Sequence, residues 1–166
     1  MNANMRSQIS RTPGLRGMRG VGLIEVLVAV AILAFGLLGI AAMQATALRN
    51  SQSSYQRSQA VTLSYSMFDR MRANLGVVHA TDSGYNTGLM CKPDDVPTDG
   101  GALAKNDLDA WLADLHDRMG PTACGRIEIT FDKPTNTYES SVTVQWDDSR
   151  GTKGDSVQTL TTSTAI

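Results

Sequence analysis

Apolar positions follow three different periods along this chain. From Val21 to Met43 the sequence is almost wholly apolar, with Glu25 as its one charge. At 1.5 Å per residue a helix over this run spans about 34 Å, enough to cross a bilayer. Gln44-Ala45-Thr46-Ala47-Leu48-Arg49 read as more helix, and Ala60, Val61, Ser64, Met67, Phe68, Met71 and Leu75 then recur at spacings of three and four. Such spacing marks one face of an amphipathic helix. No proline interrupts residues 21–75, so a single helix of about 80 Å is predicted. Asn74-Leu75-Gly76 is its expected stop, with Gly76 as a left-handed cap.

Residues 76–105 lose periodicity and are rich in Gly, Asp, Pro and Thr. A loop this long is uncommon unless it is functional or covalently tied. A short helix is predicted over Asn106 to Met119, with Asn106 as cap, Leu108, Trp111, Leu112, Leu115 and Met119 as core stripe, and Gly120-Pro121 as stop. Strand alternation follows. Ile127, Ile129 and Phe131 lead to a turn at Pro134-Thr135-Asn136, and Val142, Val144 and Trp146 lead to a turn over 147–151. Ser156 to Thr162 read as a third strand. The expected fold class is α+β: a long N-terminal helix, transmembrane in its first half, whose second half packs on a small antiparallel sheet.

Charge sharpens this division. The 166 residues carry 15 basic and 16 acidic side chains. Residues 1–20 hold Arg6, Arg11, Arg16 and Arg19 and no acid, so the remainder keeps 11 basic and 16 acidic residues, a net −5. A mildly acidic body without a basic patch argues against direct nucleic-acid binding.

The N-terminus differs from an ordinary secretory signal. Its apolar run is long, and no polar Ala-x-Ala cleavage pattern follows it. Four arginines ahead of the run place that end in the cytoplasm and the body on the exported side. For an exported body, Cys91 and Cys124 read as a single disulfide, worth about 3–4 kcal/mol in the chain-entropy model; the alternative is two buried thiols. Glu25 is the anomaly. A carboxylate within an apolar run costs about 2–3 kcal/mol at mid-helix and less near the interface. Either it snorkels to the cytoplasmic face, or it has a specific positive partner. Cleavage after Gly20 would create one, because the new α-amino group of Val21 is a cation at neutral pH.

The stretch Arg19-Gly20-Val21-Gly22-Leu23-Ile24-Glu25-Val26-Leu27-Val28-Ala29 resembles the class III signal of type IV prepilins: a basic leader ending in Gly, a hydrophobic first mature residue, and Glu at the fifth mature position. Val21 departs from the Phe or Met common at the first position. The resemblance implies a prepilin peptidase that cuts between Gly20 and Val21 and N-methylates Val21. It also implies that Glu25 forms the assembly charge pair with a neighbouring subunit's amine. It divides the chain into a leader (1–20), an apolar transmembrane and assembly half-helix (21–43) and an exported globular domain (44–166). Met71-Arg72-Ala73-Asn74 and Val144-Gln145-Trp146-Asp147 further resemble PilV-type minor pilins. The implied role is a minor pilin that primes or modifies type IV pilus assembly. Its implied partners are other minor pilins, the major pilin, the prepilin peptidase, the inner-membrane assembly machinery, and the membrane through residues 21–43. The implied location is the inner membrane, with a periplasmic C-terminal domain, and then the filament. A pseudopilin of a type II secretion system shares the same signal. A membrane-anchored periplasmic binding or enzymatic domain is the alternative from another class. Gly36 and Gly39 are open to two readings, close helix packing or the local unwinding that the resemblance implies in a filament.

No catalytic, cofactor-binding or metal set stands out. His79 and His116 lack ligand-spaced neighbours, and His116 falls off the apolar stripe, on the solvent side. Asp94, Asp95 and Asp99 before Gly100 hint at calcium but lack the alternation of a calcium loop.

Overall fold

The computed structural model describes residues 20, 22–80 and 83–166. The leader residues 1–19 and Val21 lie outside the described residues. Helix α1 runs Leu23–Ala73, a one-turn helix α2 covers Leu75–Val78, and helix α3 covers Gly101–Met119. Strands β1 (Cys124–Asp132), β2 (Thr137–Trp146) and β3 (Gln158–Ala165) form an antiparallel meander in that order. The fold is therefore the expected α+β layout of a type IV pilin, a long helix packed on a small three-stranded antiparallel sheet. Residues 42–166 form one compact unit and the residues before them another.

Within the larger unit, the core is built on the last part of α1. Ala60, Leu63, Met67, Phe68 and Met71 are buried there, against Val142, Val144 and Trp146 of β2 and Leu108, Trp111 and Leu115 of α3. The predicted stripe is shifted in two places. Val61 and Leu75 are exposed, and Leu63 takes a core position instead. The shift follows from α3: Trp111 Nε1–H donates to the Leu63 carbonyl at 3.0 Å, which puts that side of α1 under α3. The Trp111 ring in turn lies where a side chain on Gly125 would sit. A Cβ there would meet ring carbons at 2.3 and 2.4 Å, so glycine is required by this packing.

α1 ends differently from the expectation. Asn74 leaves the helical region (φ −128°, ψ 43°) and its carbonyl starts α2 by accepting from Val77 and Val78 N–H. Gly76 lies inside that turn and is no left-handed cap; the positive-φ glycines are Gly101 and Gly120. Gly120, at φ 105°, stops α3 as the Gly-Pro pair predicts. α3 starts at Gly101, five residues before the expected Asn106. Ala102, Leu103, Ala104 and Lys105 are strong helix formers, and burial of Ala104 extends the apolar stripe by one turn. β3 starts and ends later than expected, at Gln158 and Ala165. Phe131 is exposed; its ring packs on Tyr138 at 4.9 Å, and Tyr138 stacks on His79 at 4.2 Å.

The segment between the helices is organised by three devices. Cys91 and Cys124 form a disulfide with Cα atoms 4.3 Å apart. Next to it, Met90 and Gly125 exchange backbone hydrogen bonds of 2.8 and 2.9 Å, and Thr87 N–H donates to Ile127 O at 2.9 Å. This segment thereby covers part of the outer edge of β1. Gly84 and Gly100 cross so closely that a Cβ on either would meet the other's Cα at 2.1–2.2 Å. The third device is a half-buried polar cluster around the buried Tyr85. Tyr85 O–H donates to Asp107 Oδ2 at 2.6 Å, Asn74 Nδ2 donates to Tyr85 Oη at 3.0 Å, and Arg70 pairs with Asp107 and Asp114 at 3.5 and 3.6 Å. It joins the end of α1, the loop and α3.

Two outcomes follow for stability. Cys91→Ser with Cys124→Ser should lower unfolding free energy by about 3–4 kcal/mol in denaturant titrations, the value for a closed loop of this length. Burial, and next the hydrogen bond to Asp107, push the Tyr85 phenol from 10.0 up to about 12. Its protonated form is the one that the fold favours. That stabilisation is complete below pH 10 and is lost as pH rises through about 12. Tyr85→Phe should cost about 1–3 kcal/mol at pH 7 and flatten the fall of the thermal midpoint between pH 10 and 12.

Candidate processing and assembly segment

Gly20 is exposed, and a Cβ built on it meets nothing within 4 Å. Among the described residues nothing packs so closely that it demands glycine at this position. The Gly22 carbonyl accepts from Glu25 N–H at 2.9 Å and from Val26 N–H at 3.2 Å, which opens α1. Glu25 thus stands in the first turn of the helix. A carboxylate there is favoured by the unpaired N–H groups and the positive end of the helix dipole, typically by 0.3–1 kcal/mol. Among the described residues no cation lies within ion-pair reach of it.

The side chains after Glu25 set the main physical problem. Every large apolar residue from Leu23 to Met43 is exposed: Leu23 is 84%, Phe35 75% and Ile32 67% exposed. The first buried residue of α1 is Ala60. Leaving one such side chain in water instead of burying it costs about 1.5–3 kcal/mol, so an uninterrupted run of them needs an apolar environment that the described residues do not supply. By length and composition the helix can cross a membrane, and its apolar window has no share buried within the protein. α1 is unbroken at Gly36 and Gly39, and a Cβ on either would meet nothing within 4 Å. Both positions are flat, open patches on which another helix can approach closely.

The remaining candidates bring no reactive set together. His116 is half-buried rather than solvated, with Nε2 3.1 Å from the Ala123 carbonyl. The Asp95 carboxylate accepts from Cys91 and Lys92 N–H, both at 2.8 Å, and these bonds hold it below the usual carboxylate range. It therefore caps the short turn Pro93–Asp95, and no group of three His, Cys, Asp or Glu fit for a metal ion occurs among the described residues. Asp148 is buried and accepts from the Ser53 hydroxyl at 2.6 Å, fastening the β2–β3 connection to α1. Beside it lies a polar cleft of about 280 Å³ lined in part by Gln52, Gln56, Asp147 and Arg150.

Residues 15–41 match the family model described as the prokaryotic N-terminal methylation motif. No curated protein matches the chain, and no solved structure does. The motif supports a type IV pilin-like or pseudopilin subunit and fits anchoring in a membrane. It covers the segment that carries Gly20, Val21 and Glu25 and ends within the exposed apolar run.

The burial pattern has a direct consequence. A fragment of residues 44–166 should stay in solution without detergent and unfold in one cooperative transition, since the core starts at Ala60. The full chain should sediment with membranes and need detergent for extraction. Equal solubility of the two in ultracentrifugation would contradict the account of residues 23–43.

Proposed function

We propose that this chain is a minor pilin, a structural subunit that primes or modifies type IV pilus assembly. The observation that carries this reading is the coincidence, on one segment, of the methylation motif at residues 15–41 and an apolar helix that its own chain leaves unburied. The proposed order of events follows from that coincidence. Residues 1–20 serve as a basic leader and hold the N-terminus in the cytoplasm, while residues 21–43 anchor the protein in the inner membrane. The C-terminal domain faces the periplasm, a compartment in keeping with the Cys91–Cys124 disulfide. A prepilin peptidase cuts between Gly20 and Val21 and methylates the new amine.

In assembly the apolar half-helix exchanges lipid for the helices of neighbouring subunits, at little net hydrophobic cost. Glu25 then meets the Val21 amine of a neighbour. The pair sets register, because an unpaired carboxylate in an apolar surrounding is costly. Other minor pilins, the major pilin and the inner-membrane machinery are the proposed partners. The same motif also fits a type II secretion pseudopilin, and loss of piliation against loss of secretion in a deletion strain separates the two.

N-terminal mass spectrometry of membrane-extracted protein should find a chain that begins at methylated Val21. Gly20→Ala should leave the leader attached and keep the protein out of sheared filaments. Glu25→Ala should be processed and inserted normally, yet its filament content should fall about tenfold, the effect of roughly 1.4 kcal/mol of pairing. An intact leader on the native protein, or wild-type filament content of Glu25→Ala, would overturn these roles.

A further inference from the structure

Basic side chains are used unevenly in residues 42–166. Arg70, Arg72, Lys105 and Arg126 stand in ion pairs. Arg49, Arg57, Arg150 and Lys153 are exposed, and among the described residues no acid lies within ion-pair reach of them. The fold gathers two of these four around one cleft. Arg49, Gln52, Ser53 and Gln56 recur at the three- and four-residue spacing of one helix face. Ser53 O–H donates to the buried Asp148 at 2.6 Å and so seats the β2–β3 connection on that face. Arg150 thereby lines the cleft of about 280 Å³ together with Gln52, Gln56 and Thr122. Arg49 lies one helical turn before Ser53, on the side of the apolar run. Two acids share the cleft, and both are engaged within the fold. Asp148 accepts from Ser53, and the Asp147 carboxylate accepts from Ser149 N–H at 2.8 Å. Apart from the four free cations and Asp147, Asp148 and Asp155, residues 42–166 hold 7 basic and 12 acidic side chains. Unpaired positive charge therefore collects beside the apolar run of an otherwise acidic unit.

We propose that Arg49, Arg150 and the cleft between them bind the headgroup of an anionic phospholipid at the membrane surface that this unit faces. Phosphatidylglycerol has the fitting chemistry. Its phosphate suits the two guanidinium groups, and its glycerol hydroxyls can donate to Asp147 and accept from Gln52 and Gln56. The helix supplies the reach. Arg49 comes six residues after Met43 and Ser53 comes ten after it, about 9 and 15 Å of α1 beyond the apolar run. The headgroup layer extends about 5–7 Å beyond the hydrocarbon on each side, arginine stems span much of the remaining gap, and charges act over about 8 Å at physiological ionic strength. The proposal rests on the reading of residues 21–43 as a membrane anchor, because that tether is what keeps an anionic surface within reach. The contact holds the unit at the membrane before assembly, and departure into a filament breaks it.

The test uses the full chain with Thr152→Cys, an exposed position in the β2–β3 connection, labelled with bimane and placed in lipid nanodiscs that hold a fixed share of a lipid with a nitroxide headgroup. Quenching in phosphatidylcholine discs is the reference. Phosphatidylglycerol in place of part of the phosphatidylcholine should raise the ratio of quenched to unquenched label about fivefold, which converts to about 1 kcal/mol, the scale for one arginine at an anionic surface. Phosphatidylethanolamine in its place should give no such rise. Arg150→Gln and Arg49→Gln, made separately, should each remove most of the rise, as should salt at about 1 M, where the Debye length is about 3 Å. Lys133→Gln, which removes another exposed cation outside the ion pairs, should leave it intact. A label on Thr135→Cys, in the β1–β2 turn at the other end of β2, should show none. Equal quenching in all three lipids, a rise that survives both arginine variants, or an equal rise at Thr135→Cys would overturn the proposal and leave the anchor reading standing. A chain that stays out of phosphatidylcholine discs would overturn the anchor reading, and this one with it.

Discussion

Burial of α1 governs this protein, and the same helix meets it in two incompatible ways. Up to Gln59 no side chain of α1 is buried, although residues 23–43 are among the most apolar in the sequence. From Ala60 to Met71 the helix forms one wall of a closed core. The hydrophobic effect therefore folds the second part, and for the first it requires lipid or other apolar helices. Everything functional about the N-terminal segment depends on that requirement. A methylation motif and a first-turn carboxylate on a helix with its own tertiary partners would have little to assemble.

The unit of residues 42–166 shows how a small core is held together. The connection between α1 and α3 adds Val78, Tyr85, Met90 and Val96 to the core. Covalent and polar contacts fasten it further. The disulfide and the Met90–Gly125 bonds align that connection along β1, and the Tyr85–Asp107–Arg70 cluster ties it to both helices. Glycine is needed on steric grounds at Gly125, which admits the Trp111 ring, at Gly84 with Gly100, where two backbones touch, and at Gly154, where a Cβ would meet the Asp148 carbonyl oxygen at 1.7 Å.

These devices also explain a contrast between the sheet edges. The segment fastened by Cys91 covers part of β1, and among the described residues no comparable segment covers β3. A hydroxyl-rich, uncharged strand remains at that side, half-buried on its inner face through Leu160 and Thr162.

Much of this was legible in the residues themselves. An apolar run of that length, with one carboxylate near its start, is set by transfer free energies alone. Periodicity marks α3, and alternation marks β1 and β2, because each depends on which side chains share a face. What the sequence could not decide were properties of contacts between distant segments. Leu63 rather than Val61 enters the core because Trp111 chose that carbonyl. α3 begins at Gly101 because Ala104 finds burial there, and Phe131 leaves the core for Tyr138. Glu25 offered the reverse lesson: its position in the sequence marked it as anomalous, and the structure places it in the first turn of α1, which starts on the Gly22 carbonyl. Local preference sets the elements, and the free energy of mutual burial, available only once they pack, chooses their ends and faces.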